Sequence, residues 1–140
     1  MKIAIGCDHG GISLKKNVLS IVSEYGHQVV DVGTDSEMSV DYPKYAKAVC
    51  DKVSANECEA GILICGTGIG MSMAANRNKD IRAALCADMF TARMSREHNN
   101  ANVLCLGARV IGPGLAEEIV RTWLTTEFAG DRHLRRIEMF

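Results

Sequence analysis

"ILICGTGIGMS", residues 62–72, places a cysteine at the end of an apolar run and three glycines at alternate positions directly after it. The run predicts a buried strand, and the glycines predict a tight turn into a helix that begins near Met71. Backbone amides at a helix start stabilise anions. The spacing does not fit a dinucleotide fingerprint or a Walker loop, and Met71 stands where a cysteine-phosphatase loop needs arginine. The stretch therefore predicts an anion-binding loop of another kind, with a purely structural turn as the alternative.

Outward from this strand, short apolar runs alternate with longer amphipathic stretches five times. The strand-like runs are KIAIG, QVVDVG, AGILIC, RAALC and NVLCLG, and the helix-like stretches are 13–25, 42–54, 71–78, 89–97 and 115–128. Runs that are apolar on both faces are typical of a parallel sheet covered by helices on both sides. The pattern predicts one α/β domain over residues 1–140, a Rossmann-like three-layer sandwich with five parallel strands in the order 2-1-3-4-5. A short C-terminal helix is expected at about 131–139.

Composition and charge exclude several classes of partner. A net charge of -1 gives no general electrostatic reason to bind nucleic acid or an anionic membrane. No apolar run has the length of a membrane span or a signal peptide, which favours a cytoplasmic protein. The six cysteines include no CxxC pair, so a zinc knuckle and a thioredoxin-like redox centre are disfavoured. Buried filler is the ordinary role for each of these thiols.

Two glycine-bearing loops should meet in a crevice of this fold. With strands one and three adjacent and their helices on opposite faces, the crevice opens at the carboxyl ends of the strands, where residues 6–11 and 65–70 fall. Cys65 differs from the other thiols because a nearby helix start favours its thiolate form. Asp8 and His9 place a carboxylate beside an imidazole, which suits proton transfer or hydroxyl binding. Capping of the first helix is the alternative role for Asp8.

Further candidate groups lie outside these loops. His98 and Asn99, in "REHNNAN", end the fourth helix near a loop, although polar runs of this kind are often only turns. Arg132 and Arg136 are four residues apart on one helix face and can grip a single phosphate, with a solvated basic segment as the alternative. Arg109 follows the fifth strand and is a second candidate anion contact.

Six segments in this order carry a resemblance over nearly the whole chain. They are "GCDHGG", "DVGT", "DYPKYA", "GILICGTGIGMSMAANR", "SREHNNANVLCLGARVIG" and "DRHLRRIE". Together they resemble the ribose-5-phosphate isomerase B family of sugar-phosphate isomerases, and the CGTGIG and HNNAN segments are specific to it. The resemblance implies interconversion of ribose 5-phosphate and ribulose 5-phosphate without metal or organic cofactor. It also implies a homodimer, or a dimer of dimers, with sites at the subunit interface built from both chains.

The same resemblance assigns roles to the candidate residues. Cys65 would move a proton between C2 and C1 through a cis-enediolate, and His98 would open the furanose ring with help from Asp8. The glycine loop would surround the enediolate through Gly66, Thr67, Gly68, Ile69 and Gly70. The remaining substrate contacts would be His9, Asn99, Arg109, Arg132 and Arg136, with the arginines chiefly at the phosphate.

The chemistry of the residues agrees with these roles but leaves alternatives open. Removal of a proton beside a carbonyl builds negative charge on oxygen, which preorganised amide donors stabilise by about 3 kcal/mol each. The same scaffold could serve a hexose 6-phosphate such as allose or galactose 6-phosphate, with residues 39–42 and 71–76 setting substrate length. A flavodoxin-like binding domain without catalysis is the alternative from another class, although an aromatic content of 5% leaves few rings to enclose a flavin.

Overall fold

The computed structural model describes residues 1–140 as five strands and six helices that alternate along the chain. The strands are β1 (Lys2–Cys7), β2 (Gln28–Asp31), β3 (Ala60–Cys65), β4 (Ala83–Leu85) and β5 (Val103–Gly107). The helices are α1 (Ile12–Glu24), α2 (Tyr42–Ser54), α3 (Ile69–Ala75), α4 (Met89–Glu97), α5 (Pro113–Thr125) and α6 (Arg132–Ile137). All neighbouring strands pair in parallel, so the predicted α/β class is confirmed.

The order of the last two strands differs from the expected one. The sheet runs β2-β1-β3-β5-β4, so β5 and not β4 lies beside β3. Every residue of β5 is buried, whereas the three residues of β4 are partly or fully exposed. A strand that is apolar on both faces loses most by lying at an edge, and it therefore takes the interior position. The expected order 2-1-3-4-5 was wrong at this point.

Side chains that alternate along the strands build a separate core on each face of the sheet. Ile3, Ile5 and Ile62 point to one face and pack against α1, α4 and α5. Ala4 and Leu63 point to the other face and pack against α2 and α3. Helices α1 and α3 thus leave on opposite faces, as predicted, and the crevice between them opens at the carboxyl ends of β1 and β3. None of the helices is long and apolar enough to cross a membrane.

Candidate active site

The loops that follow β1 and β3 are in direct contact. The Asp8 amide donates a hydrogen bond of 3.2 Å to the Ile64 carbonyl. A Cβ atom at Gly11 would lie 2.3 Å from that same oxygen, and one at Gly10 would lie 3.1 Å from the Gly66 nitrogen. Only glycine fits at Gly11, since the obstruction is backbone that cannot swing away. The prediction that these two loops meet is confirmed.

Asp8 holds the turn between β1 and α1, where the loops after β1 and β3 meet. Its side chain is buried, and Oδ1 accepts hydrogen bonds from the amides of Gly10 at 2.9 Å and Gly11 at 3.1 Å. These bonds lie in the turn before α1, whose N-cap is Gly11 and has no side-chain capping bond, so the capping role considered for Asp8 is not observed. Oδ2 makes no hydrogen bond within the chain. One oxygen thus fixes the carboxylate while the other is available to a ligand.

His9 is held by the segment that follows β2. Its Nδ1 accepts a hydrogen bond of 3.1 Å from the Val40 amide. A ring nitrogen that accepts an N–H carries no proton, so the neutral ring has its proton on Nε2. His9 is therefore a donor through Nε2 at the edge of the crevice.

Cys65 ends β3, and its sulfur is tied to the start of α3. The thiol is 5% exposed, and Sγ accepts a hydrogen bond of 3.1 Å from the Gly68 amide. Gly68 is the N-cap of α3 and has a φ of +79°, which a residue with a side chain rarely adopts. Thr67 supports the turn from its own side chain, because its Oγ1 accepts the Ile69 amide at 3.2 Å. The loop therefore holds the sulfur beside a backbone donor.

The other five cysteines lie in the core without such a partner loop. Burial raises the pKa of Cys7 and of Cys50 to about 11. Burial also raises the pKa of Cys58, Cys86 and Cys105, and all five thiols are free. These thiols are protonated near neutral pH, which agrees with their predicted role as packing residues.

Two side chains form walls of the glycine loop. The Arg109 amide donates to the Gly66 carbonyl at 2.9 Å, and a Cβ at Gly66 would lie 3.2 Å from Arg109 Nη1. The guanidinium therefore lies against the loop, where the sequence analysis expects an anion contact. The Tyr42 ring lies against Gly70, since a Cβ there would be 2.6 Å from Cζ. Tyr42 was not among the predicted contacts, although the segment 39–42 had been considered for substrate length.

The predicted site residues fall into two groups at opposite ends of the strands. We call the first the crevice cluster: Asp8, His9, Cys65, Gly66, Thr67, Gly68, Ile69, Gly70 and Arg109. We call the second the helix-end cluster: His98, Asn99, Arg132 and Arg136. His98 caps the carboxyl end of α4, and β5 begins five residues later beside Gly61, at the amino end of β3. Cys65 lies four residues along the strand from Gly61, which is roughly 13 Å. A single chain does not bring the two clusters together.

The helix-end cluster contains a histidine pair that the sequence did not reveal. The rings of His98 and His133 stack with centroids 4.1 Å apart and planes 11° from parallel. The Ala129 amide donates to the Glu97 carbonyl at 2.9 Å, which joins the segment before α6 to the end of α4. Burial lowers the pKa of His133, and the positive charges of His98, Arg132 and Arg136 lower it further. His133 is therefore neutral at neutral pH.

The fold and the crevice define an α/β protein with a glycine loop suited to a small anion and side chains suited to proton transfer. A model of the family described as Ribose/Galactose Isomerase matches residues 3–140. The chain therefore belongs to the ribose/galactose isomerase family and is an isomerase. This membership confirms the resemblance found in the sequence and favours an enzyme over a flavodoxin-like binding domain.

Named relatives cover nearly the whole chain. Ribose-5-phosphate isomerase B of Escherichia coli (strain K12) is 47% identical over 137 residues, which are 98% of this chain and 92% of the relative. The solved structure of Clostridium thermocellum ribose-5-phosphate isomerase B has a TM-score of 0.97 and 51% identity, with 99% of this chain and 94% of that chain covered. That of the Thermotoga maritima ribose 5-phosphate isomerase has a TM-score of 0.95 and 54% identity, with coverages of 99% and 95%.

Proposed function

We propose that this protein interconverts D-ribose 5-phosphate and D-ribulose 5-phosphate, with Cys65 as the base. The observation that carries the proposal is the Cys65 sulfur, held 3.1 Å from the Gly68 amide. Three other amides of the same loop, those of Gly66, Thr67 and Gly70, donate no hydrogen bond within the chain. An enediolate carries its charge on oxygen, and such donors stabilise that charge. The relatives named ribose-5-phosphate isomerase B support the choice of substrate.

The proposed reaction has two stages, and each uses groups of matching chemistry. In the first, His98 takes the proton of the anomeric hydroxyl while the bond from C1 to the ring oxygen breaks, and with help from Asp8 that proton is delivered to the former ring oxygen. In the second, the Cys65 thiolate takes the C2 proton, the proton of the C2 hydroxyl passes to the C1 oxygen of the cis-enediolate, and the sulfur returns its proton to C1 as C2 and its oxygen form the carbonyl. Thiol chemistry suits this step because the same group must accept and return a proton.

We further propose that each site is built from two copies of the chain. The crevice cluster supplies the base and the anion loop, while the ring-opening histidine and the arginine pair lie at the other end of the strands. A homodimer that places one chain's helix-end cluster over its partner's crevice cluster completes the site. Large apolar side chains near the crevice and the edge strand support such an interface, since Met73 is 67% exposed and Phe90 is 64% exposed.

An isomerase assay with several sugar phosphates tests the proposal. We expect the highest kcat/KM on ribose 5-phosphate, a lower value on allose 6-phosphate and on galactose 6-phosphate, and almost no activity for Cys65→Ala on any of them. A higher kcat/KM on either hexose phosphate would establish the alternative substrate. Full activity of Cys65→Ala would overturn the assignment of the base. A cytoplasmic location stays a prediction, which cell fractionation would test.

A further inference from the structure

The stacked pair of His98 and His133 joins two parts of the helix-end cluster that the chain supplies separately. His98 lies at the end of α4, and its side chain is 38% exposed. His133 lies in α6 and is 8% exposed. The two rings are parallel to within 11° at a centroid separation of 4.1 Å. His133 thus covers one face of the His98 ring while the edge of that ring stays open to a ligand.

We propose that His133 is a positioning residue of the isomerase, which fixes the plane of the His98 imidazole and the placement of α6 beside it. This inference rests on the proposed ring-opening role of His98. His133 makes no direct contact with substrate in this account. It acts through the orientation of its neighbours.

The placement of α6 gives the stack a second consequence. Arg132 directly precedes His133 in α6, and Arg136 follows one turn later. Because α6 has only six residues, its own hydrogen bonds hold it weakly, and its contacts with the end of α4 must set its position. The ring stack and the Ala129 hydrogen bond to Glu97 are such contacts. The stack therefore sets the distance between the proposed phosphate grip and the proposed ring-opening imidazole.

Charge around the stack keeps His133 out of the proton transfer. The groups that face it are His98 and Glu97 from α4, and Arg132 and Arg136 from α6. Burial lowers the pKa of His133 first, the three basic neighbours lower it further, and Glu97 opposes them. A neutral ring stacks on His98 without competing for the proton that His98 handles. A non-ionisable aromatic ring should therefore replace His133 with little loss.

Two aldose phosphates distinguish a misplaced ring-opening histidine from a general loss of activity. Ribose 5-phosphate is a furanose that must open, whereas erythrose 4-phosphate cannot close a furanose because its terminal hydroxyl is esterified. We expect His133→Ala to lower kcat/KM on ribose 5-phosphate about tenfold more than on erythrose 4-phosphate. His133→Phe should keep both values within about threefold of wild type. Leu134→Ala, the adjacent exposed position, is the matched control and should change neither.

A double-mutant cycle with His98 tests whether the activity lost in His133→Ala is lost through His98. In the His98→Ala background, His133→Ala should add nothing to the preference for the acyclic substrate, because its effect runs through His98. Equal losses on both substrates for His133→Ala, or a preference for the acyclic substrate that multiplies in the double variant, would overturn the positioning role. If His98→Ala itself shows no preferential loss on ribose 5-phosphate, the proposed ring-opening function fails, and the inference fails with it. Should His133→Ala not fold, His133→Leu fills the space without an aromatic face and carries the same expected loss.

Discussion

The Gly68 amide donates a hydrogen bond to the Cys65 sulfur across 3.1 Å, and Gly68 is itself the N-cap of α3. The base proposed for the reaction is therefore fixed by the same turn that supplies the donors of the anion loop. Any oxyanion that forms in the loop lies beside the sulfur that generates it. This arrangement explains why Gly68 must adopt a positive φ, since the turn has to bring its amide back towards the end of β3.

Replacement of the Cys65 thiol should remove turnover without weakening ground-state binding. We expect Cys65→Ala to lower kcat by about 10³-fold or more, because the group acts on a proton in the transition state. The Kd of ribitol 5-phosphate, an unreactive analogue, should change less than about twofold by calorimetry. Cys50→Ala, on a buried thiol of α2, is the control and should retain wild-type kcat. Retention of more than a tenth of the activity by Cys65→Ala would contradict the base assignment.

The sequence determined much of the crevice because its signals are local. The end of β3 at Cys65, the turn at Gly68 and the adjacency of the first and third loops follow from apolar runs and glycine spacing. The order of β4 and β5 did not follow, since it depends on which of two neighbouring strands gains more from burial on both edges. The contact of His98 with His133 joins residues 35 positions apart through the docking of α6, for which no periodic pattern exists.

A buried ion pair at the end of β2 should contribute to stability. Lys15 of α1 is buried, and its Nζ lies 2.8 Å from Asp31 Oδ2, 2.6 Å from Asp35 Oδ1 and 3.1 Å from the Thr34 carbonyl. Lys15→Ala removes the buried lysine stem and its charged hydrogen bonds, and should lower the free energy of unfolding by about 2 kcal/mol in urea titrations. Lys47→Ala removes an exposed pair with Asp51 and should cost less than about 0.5 kcal/mol. Equal costs for the two variants would contradict this account.

The depressed pKa of His133 predicts how stability responds to acid. The ordinary histidine value is 6.5, and the folded state lowers it, so below that pH the unfolded chain binds more protons at this position than the folded one. Stability should therefore be intact above about pH 6.5 and should fall as the pH drops below it. His133→Phe removes this contribution. Urea unfolding at about pH 7.5 and about pH 5.5 should show a smaller acid loss for the variant than for wild type. If wild type and His133→Phe lose the same stability in acid, His133 has the same pKa in the folded and the unfolded chain, which contradicts this prediction.

Mixing of inactive variants tests whether the two clusters of one site come from different chains. Cys65→Ala damages the crevice cluster, and Arg136→Ala damages the helix-end cluster. If each site takes one cluster from each chain, a mixed dimer of the two variants has one site with both defects and one site with neither. Random reassociation after unfolding and refolding of an equal mixture should then restore about a quarter of the wild-type activity. A mixture of Cys65→Ala with Asp8→Ala is the control, because both changes lie in the crevice cluster and every site of a mixed dimer keeps one defect. No recovery in the first mixture would show that each chain builds its own site, and recovery in the control would show that Cys65 and Asp8 of one site come from different chains.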